Sequence, residues 1–212
     1  MAATVPLVNR AAGDLLTTTL WNTYVVANGN KLLYQAHRKV TVAQFAALTG
    51  IEDGDEVYLE VDATNGIEWH LVYRSAEATY KWRFLGGPPM SAEVATDETT
   101  ASTAFAALAT AGPSIGLPRA GDYEITVQSA QAGAADSGTS HSYDIGVTGA
   151  VDADAAQANI ATLNFYGTPS HGRRKAGLTA VSLVSKYKTS SGAAHFQGRC
   201  MTARPVRLRH DA

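Results

Sequence analysis

Ala120-Gly121-Asp122-Tyr123-Glu124-Ile125-Thr126-Val127-Gln128-Ser129 is the stretch on which the fold turns. Tyr123, Ile125 and Val127 alternate with polar residues, the period of a strand that buries one face. Ala120-Gly121 ahead of them is turn chemistry. The pattern recurs downstream, where Tyr143, Ile145 and Val147 form another buried face. Candidate strands fall at 93–96, 105–109, 122–129, 140–147, 159–166, 178–187 and 194–209, the last with a break. Turn-forming runs at 133–138, 149–154, 168–172 and 190–192 separate them. Short strands at this spacing predict an antiparallel sandwich of the jelly-roll kind over residues 91–212. Pro205 has no backbone donor and belongs at a bulge or an edge of the final strand.

Upstream, residues 41–90 predict a compact unit of one short helix and a three-stranded β-meander. Val42, Phe45, Ala46 and Leu48 take helical spacing up to Gly50. Val57, Leu59 and Val61 then alternate, and so do Ile67, Trp69, Leu71 and Tyr73, with Asn65-Gly66 as a strong hairpin signal between them. A third strand follows at Tyr80-Lys81-Trp82-Arg83-Phe84, and Gly86-Gly87-Pro88-Pro89 reads as a linker. The rings of Trp69, Tyr73 and Trp82 suit a miniature core, or alternatively a stacking platform for a sugar. Residues 1–40 predict an arm with one amphipathic helix, because Leu16, Leu20 and Tyr24 repeat at helical spacing and Trp21 widens the stripe. An apolar stripe of this kind needs a partner surface, either the downstream domain or a larger assembly.

Composition removes other classes. The chain has 212 residues, 45% hydrophobic and only 17% charged, with net charge −2. No overall basic field exists to hold nucleic acid. Charge is nevertheless uneven: residues 170–212 carry nine basic residues against one acid, and the remainder eight against eighteen. In Val206-Arg207-Leu208-Arg209 the basic residues alternate with apolar ones, and no aromatic residues are interleaved for base stacking. These strands are expected to complement an acidic body within or between subunits. The start of the chain lacks the basic-then-apolar pattern of a signal peptide, and no apolar run is long enough to span a bilayer. A single cysteine, Cys200, excludes an intrachain disulfide. The reading is therefore a non-secreted chain without membrane insertion.

Motifs for chemistry are sparse. Gly112-Pro113-Ser114-Ile115-Gly116 has the letters of a nucleophile elbow, but Leu117-Pro118 after it cannot begin the required helix. The histidines His37, His70, His141, His171, His195 and His210 show no metal-ligand spacing, although His141 and His195 could meet across a sheet. Asp53 with Asp55, and Asp152 with Asp154, are fragments of a calcium loop without its full oxygen series and read as solvated turn acids. No phosphate loop or dinucleotide fingerprint occurs. No enzymatic activity, cofactor or metal is expected.

Three stretches carry a resemblance. Leu16-Thr17-Thr18-Thr19-Leu20-Trp21-Asn22 is similar to a helix near the start of many tailed-bacteriophage virion proteins. Asp53-Gly54-Asp55-Glu56-Val57-Tyr58, the run from Gly66 to Tyr73, and Tyr80-Lys81-Trp82-Arg83-Phe84-Leu85-Gly86-Gly87-Pro88-Pro89 resemble a module of phage fibre and minor structural proteins. Residues 99–108, then Gly112-Pro113 and Ala120-Gly121-Asp122-Tyr123, resemble the opening of the TNF-like jelly-roll heads that end such chains. The resemblance implies a virion structural protein assembled in the host cytoplasm, commonly a homotrimer, without a bound cofactor. It further implies a 1–40 attachment arm contacting capsid, neck or tail proteins, a 41–90 meander and a 91–212 head. Leu16, Leu20, Trp21 and Tyr24 would dock on the particle. No heptad or collagen-like shaft is present, so a compact spike, decoration or tail-attached head fits better than a long fibre. A receptor- or carbohydrate-binding module on the virion surface is the alternative, with Trp69, Tyr73 and Trp82, or head loops at 133–138 and 168–172, touching host glycan.

Overall fold

Val57, Leu59, Trp69 and Leu71 turn to one side of their strands and are buried there. They belong to the first of two units in a computed structural model, which describes residues 38–210 except 135, 147, 161–165 and 168–169. Of the described residues, 38–87 and His210 form the first unit, and Pro88–Arg209 the second. The expected helix over Leu16, Leu20, Trp21 and Tyr24 lies outside the described residues.

In the first unit, β1 (Lys39–Thr41) runs parallel to β2 (Glu56–Asp62). Then β3 (Ile67–Tyr73) and β4 (Trp82–Gly86) complete an antiparallel meander in the order β1-β2-β3-β4. The parallel β1 adds a strand to the three expected from the alternation. Between β1 and β2 sits α1 (Val42–Ala46), opened by a capping box in which Thr41 and Gln44 each accept from the other's backbone N–H. The helix delivers Phe45 to the core, 5.3 Å from Trp82, whose ring also meets Tyr73 at 5.3 Å and His210 at 6.4 Å. Trp69 packs edge-on against Phe84.

The second unit is a mainly β sandwich of two sheets. Its longest pairing joins β8 (Gly121–Gly133) to β14 (Ala194–Leu208), antiparallel from Ala194 opposite Gly133 to Leu208 opposite Gly121. On the far side of β14 lie β5 (Met90–Val94) and β6 (Glu98–Thr100). Flanking β8 on its other side are β12 (His171–Leu178) and the short β11 (Tyr166–Gly167). The opposing sheet has the order β10 (Ala156–Ile160), β9 (Ser137–Asp144), β13 (Ser182–Thr189), β7 (Ser114–Gly116).

β14 is two residues longer than the strand it pairs with, and the excess is taken up in two register shifts, at 197–200 and at 205–207. Side chains alternate across a sheet, so each inserted residue exchanges the inner and outer faces. Ala194 and Phe196 point inward before the first shift; Arg199, Met201 and Ala203 do so after it; Leu208 does so after the second. Gly198 supplies the positive φ of +54° at the first shift, and Pro205 stands at the second, as its missing N–H requires. The expected strand at 105–109 reduces to one antiparallel bridge between Ala106 and Tyr187. β12 begins where a turn was expected. Its residues before Leu178 are exposed or half-buried and bring no apolar alternation to reveal it.

Gly87 closes the first unit at φ +127°, and a Cβ placed there would lie 2.2 Å from the Glu68 carbonyl oxygen and 3.2 Å from the Trp69 Cα. Gly86 has open space around it. Gly87→Ala is therefore expected to destabilise the first unit by about 2–3 kcal/mol, while Gly86→Ala changes it little. Urea titration followed by tryptophan fluorescence decides this, and equal effects of the two substitutions would refute the close approach.

Candidate functional site

Along the inner face of β8 the side chains change from apolar to polar: Tyr123, Ile125 and Val127 give way to Ser129 and Gln131. The opposing sheet answers with Thr139 and His141 from β9 and Ser185 and Tyr187 from β13, all buried. His141 joins the sheets through its two ring nitrogens, Nδ1 lying 3.1 Å from Ser129 Oγ and Nε2 3.0 Å from Ser185 Oγ. Its ring stacks on Tyr187 at 4.6 Å, and the Tyr187 hydroxyl donates to the Gly112 carbonyl at 2.8 Å. Gln131 Nε2 donates to Ser129 Oγ and to the Ala156 carbonyl, both at 3.2 Å.

Arg199, turned inward by the shift at Gly198, is 0% exposed. Its guanidinium sits 5.5 Å from the centre of the Tyr187 ring, and Nη1 lies 3.3 Å from the Thr110 carbonyl and 3.4 Å from Glu98 Oε2. Burial pushes His141 down to about 3, and the Arg199 charge adds to the effect. The imidazole is thus neutral at neutral pH, one nitrogen donating and the other accepting, and serine hydroxyls satisfy either role. Tyr187 is pushed up to about 12 by burial, against the pull of Ser185 and Arg199. His141, Tyr187 and Arg199 are thus sealed between the sheets and serve as a bolt.

A different site forms on the outside of the four-stranded sheet. With Ser185 and Tyr187 facing in, alternation turns Lys186 and Lys188 of β13 outward, beside Ser140 and Asp144 of β9 and Gln157 and Asn159 of β10. One wall is the segment 149–154, which ends in a 3-10 turn (Asp152–Asp154) and is held down where Ser142 Oγ donates to the Val151 carbonyl at 2.9 Å. The other wall is the segment 102–106. It runs along β13, with Ala106 and Tyr187 exchanging backbone hydrogen bonds of 3.0 and 2.9 Å.

Between the walls lie two open hollows of about 570 and 380 Å³, meeting at Thr103, Asp152 and Lys188. Lys188 Nζ stands 2.7 Å from the Asp152 carboxylate and 4.7 Å above the Phe105 ring. Gln157 Nε2 lies 3.3 Å from Asp152 Oδ1. Lys186 has no carboxylate partner among the described residues.

Of the residues singled out from the sequence, Asp152 stands where the hollows meet and most of the others fall elsewhere. Leu16, Leu20, Trp21 and Tyr24 lie outside the described residues. Trp69 and Trp82 are 0% exposed, so neither offers a ring face to a sugar; they are the core of the first unit. Tyr73 is half-buried, its ring against Trp82 and 5.9 Å from Lys81 Nζ. Gly133 ends β8, Ser137 and Gly138 begin β9, and 171–172 open β12. Ser114 lies on β7, paired to β13, with no helix after it. His141 bonds two serines, whereas His195 faces Asp97 at 3.2 Å.

Asp154 corrects the reading of solvated turn acids. It is buried and ion-paired to Arg173 and Lys175. Most basic residues of 170–212 find acids of the same chain: Arg174 and Arg207 converge on buried Asp122, Arg204 on Glu124, Lys188 on Asp152 and Arg199 on Glu98. Burial raises the Asp122 pKa, but hydrogen bonds from Arg207, Arg174 and the Gly177 N–H together outweigh it and hold it below the usual range. The trough residues Lys186, Lys188, Gln157 and Asn159 were missed, although the alternation of lysines with Leu183, Ser185 and Tyr187 marks the outward face of β13.

No family model matches the sequence, and no curated protein does. Among solved structures, one described as "CBM4 structure and function" is similar at TM-score 0.28 and 10% identity, over 74% of this chain and 79% of that one. Another is a Clostridium thermocellum N-terminal endo-1,4-β-D-xylanase, its CBM22-1 and GH10 modules complexed with xylohexaose. It is similar at TM-score 0.29 and 14% identity, over 73% of this chain and 26% of that one. Likeness of that degree carries no argument about function.

A neutral buried His141 has a pH signature. Its folded pKa lies below the unfolded value near 6.5, so the unfolded chain binds the extra proton. The stability from this group is complete above about pH 6.5 and declines as pH falls toward 3, by about 1.4 kcal/mol per pH unit. His141→Gln keeps amide partners for both serines but cannot titrate. Denaturant titrations of both proteins across this window should show the wild type losing the extra stability, carboxylate effects being shared. Parallel profiles would contradict the sealed, neutral histidine.

Proposed function

We propose that the chain is a non-enzymatic structural protein of a tailed-bacteriophage virion. It docks on the particle through the stripe of Leu16, Leu20, Trp21 and Tyr24. The first unit follows as a connector module, and the second unit, a jelly-roll head, oligomerises as a trimer and faces outward. The observation that carries this reading is the correspondence between resemblance and fold. The stretches that resemble the phage module, from Asp53 to Pro89, hold β2, β3 and β4 of the first unit and end two residues into the second. An antiparallel sandwich follows in chain order, as in the fibre and spike proteins resembled. Sealing of the His141, Arg199 and Tyr187 cluster agrees with it, because a group without solvent access cannot meet a substrate. The polar outer face of the sheet of β8, β12 and β14, away from the hollows, suits burial against further copies of the head.

Leu16→Glu with Trp21→Glu should leave a folded, soluble oligomer that fails to copurify with particles. Quantifying the protein in purified virions, beside a solution mass of three chains, checks both halves. Normal incorporation of the variant would refute docking by this stripe, and a monomeric mass would refute the trimer.

A further inference from the structure

We infer that the trough across the outer face of β9, β10 and β13 is a binding site for a neutral oligosaccharide. This rests on the reading of the second unit as the displayed end of a virion protein. Shape is the first ground. Two hollows of about 570 and 380 Å³ meet at a waist, each within the usual size of a ligand site. An open trough crossing several strands fits an extended chain of linked rings better than one compact molecule.

Charge selects among such chains. Lys186 and Lys188 line the trough with Asp144 and Asp152, so an anion meets two carboxylates and a cation meets two ammonium groups. A ligand without net charge that carries a donor and an acceptor at nearly every carbon satisfies both signs. That is the chemistry of a neutral polyol chain. The waist is also prearranged: Asp152 is held by Lys188 and Gln157, and Lys188 rests over Phe105. These contacts limit the freedom of both side chains before a ligand arrives, which lowers the cost of binding.

Gln157 and Asn159 stand two residues apart on the outer side of β10, about 7 Å along the strand, and present amides that donate and accept together. An apolar protein surface is disfavoured as the occupant, since it would strip water from the Asp152–Lys188 pair and return no hydrogen bonds. Stacking contributes little because the Phe105 face is already covered, so affinity per site is modest and several heads bind together through avidity.

The test uses the full chain on a printed array of neutral and acidic bacterial oligosaccharides. Calorimetry then follows with the best-retained neutral glycan. Retention of neutral glycans is expected, with affinity changing less than about twofold between low salt and about 0.5 M NaCl. Gln157→Ala with Asn159→Ala should weaken binding at least about tenfold. Thr103→Trp, which fills the waist from an exposed position, should abolish it. Arg204→Ala with Glu124→Ala, on the outer face of the other sheet, should bind as wild type. Matching thermal melts keep the comparison to folded protein. An array without neutral hits, a preference for acidic glycans that salt erases, or full binding by the trough variants would each overturn the assignment.

Particle incorporation separates this from the preceding reading. Trough variants should enter virions normally. Absence of the wild-type protein from virions would sink the virion reading and leave the glycan titration standing, whereas blank titrations with normal incorporation would sink the trough alone.

Discussion

The pairing of β14 with β8 governs the second unit, because it decides which side chains of its central strands face the opposing sheet. A strand has only two faces, and each unmatched residue in a ladder exchanges them. The two insertions in β14 create a middle segment whose inward set differs from both ends. That middle segment brings Arg199, Met201 and Ala203 inside; an unbroken strand would have left the guanidinium in water. The shift at Gly198 is thus the origin of the charged group in the core, and the partners of Arg199 are arranged around it: the Tyr187 ring, the Thr110 carbonyl and Glu98.

The inside and the outside of the sandwich then follow from a single alternation. On β13, Leu183, Ser185 and Tyr187 occupy the interior and Lys186 and Lys188 the exterior. On β9, Thr139 and His141 face the partner sheet while Ser140 and Asp144 face the trough. The interior polar groups are closed off and neutralised, His141 by loss of its proton and Arg199 by a carboxylate and a ring. On the exterior, Gln157 and Asn159 are exposed. Polar residues of similar kinds thereby have opposite uses on two sides of one sheet about a side chain thick.

Much of this is legible in the sequence where apolar alternation is strong. The runs Val57-Leu59, Trp69-Leu71 and Tyr123-Ile125-Val127 announce their strands and their buried faces, and Asn65-Gly66 announces the turn between two of them. Pro205 announces an irregularity by its lack of a donor. Alternation fails where both faces are polar. β12 carries His171, Arg173, Arg174 and Lys175 and is defined by its ladder to β8 and by ion pairs to Asp122 and Asp154, partners distant in sequence. The trough is harder still, since Thr103, the pair Asp152 and Gln157, and Lys188 come from three stretches of chain more than thirty residues apart. The tryptophans mislead in the opposite sense: aromatic rings in a small unit suggest a platform, yet a unit with so few apolar residues needs them for its core.

β14 sits in the middle of its sheet, with β8 on one side and β5 and β6 on the other, yet it is the last strand of its unit in chain order. During synthesis the strands on both flanks leave the ribosome before the element that joins them exists. Long-range pairing of this kind is slow to nucleate, and a nascent chain halted ahead of residue 194 has no way to assemble the sheet. Only a chain translated through β14 can then close the sheet, with translation itself acting as the checkpoint.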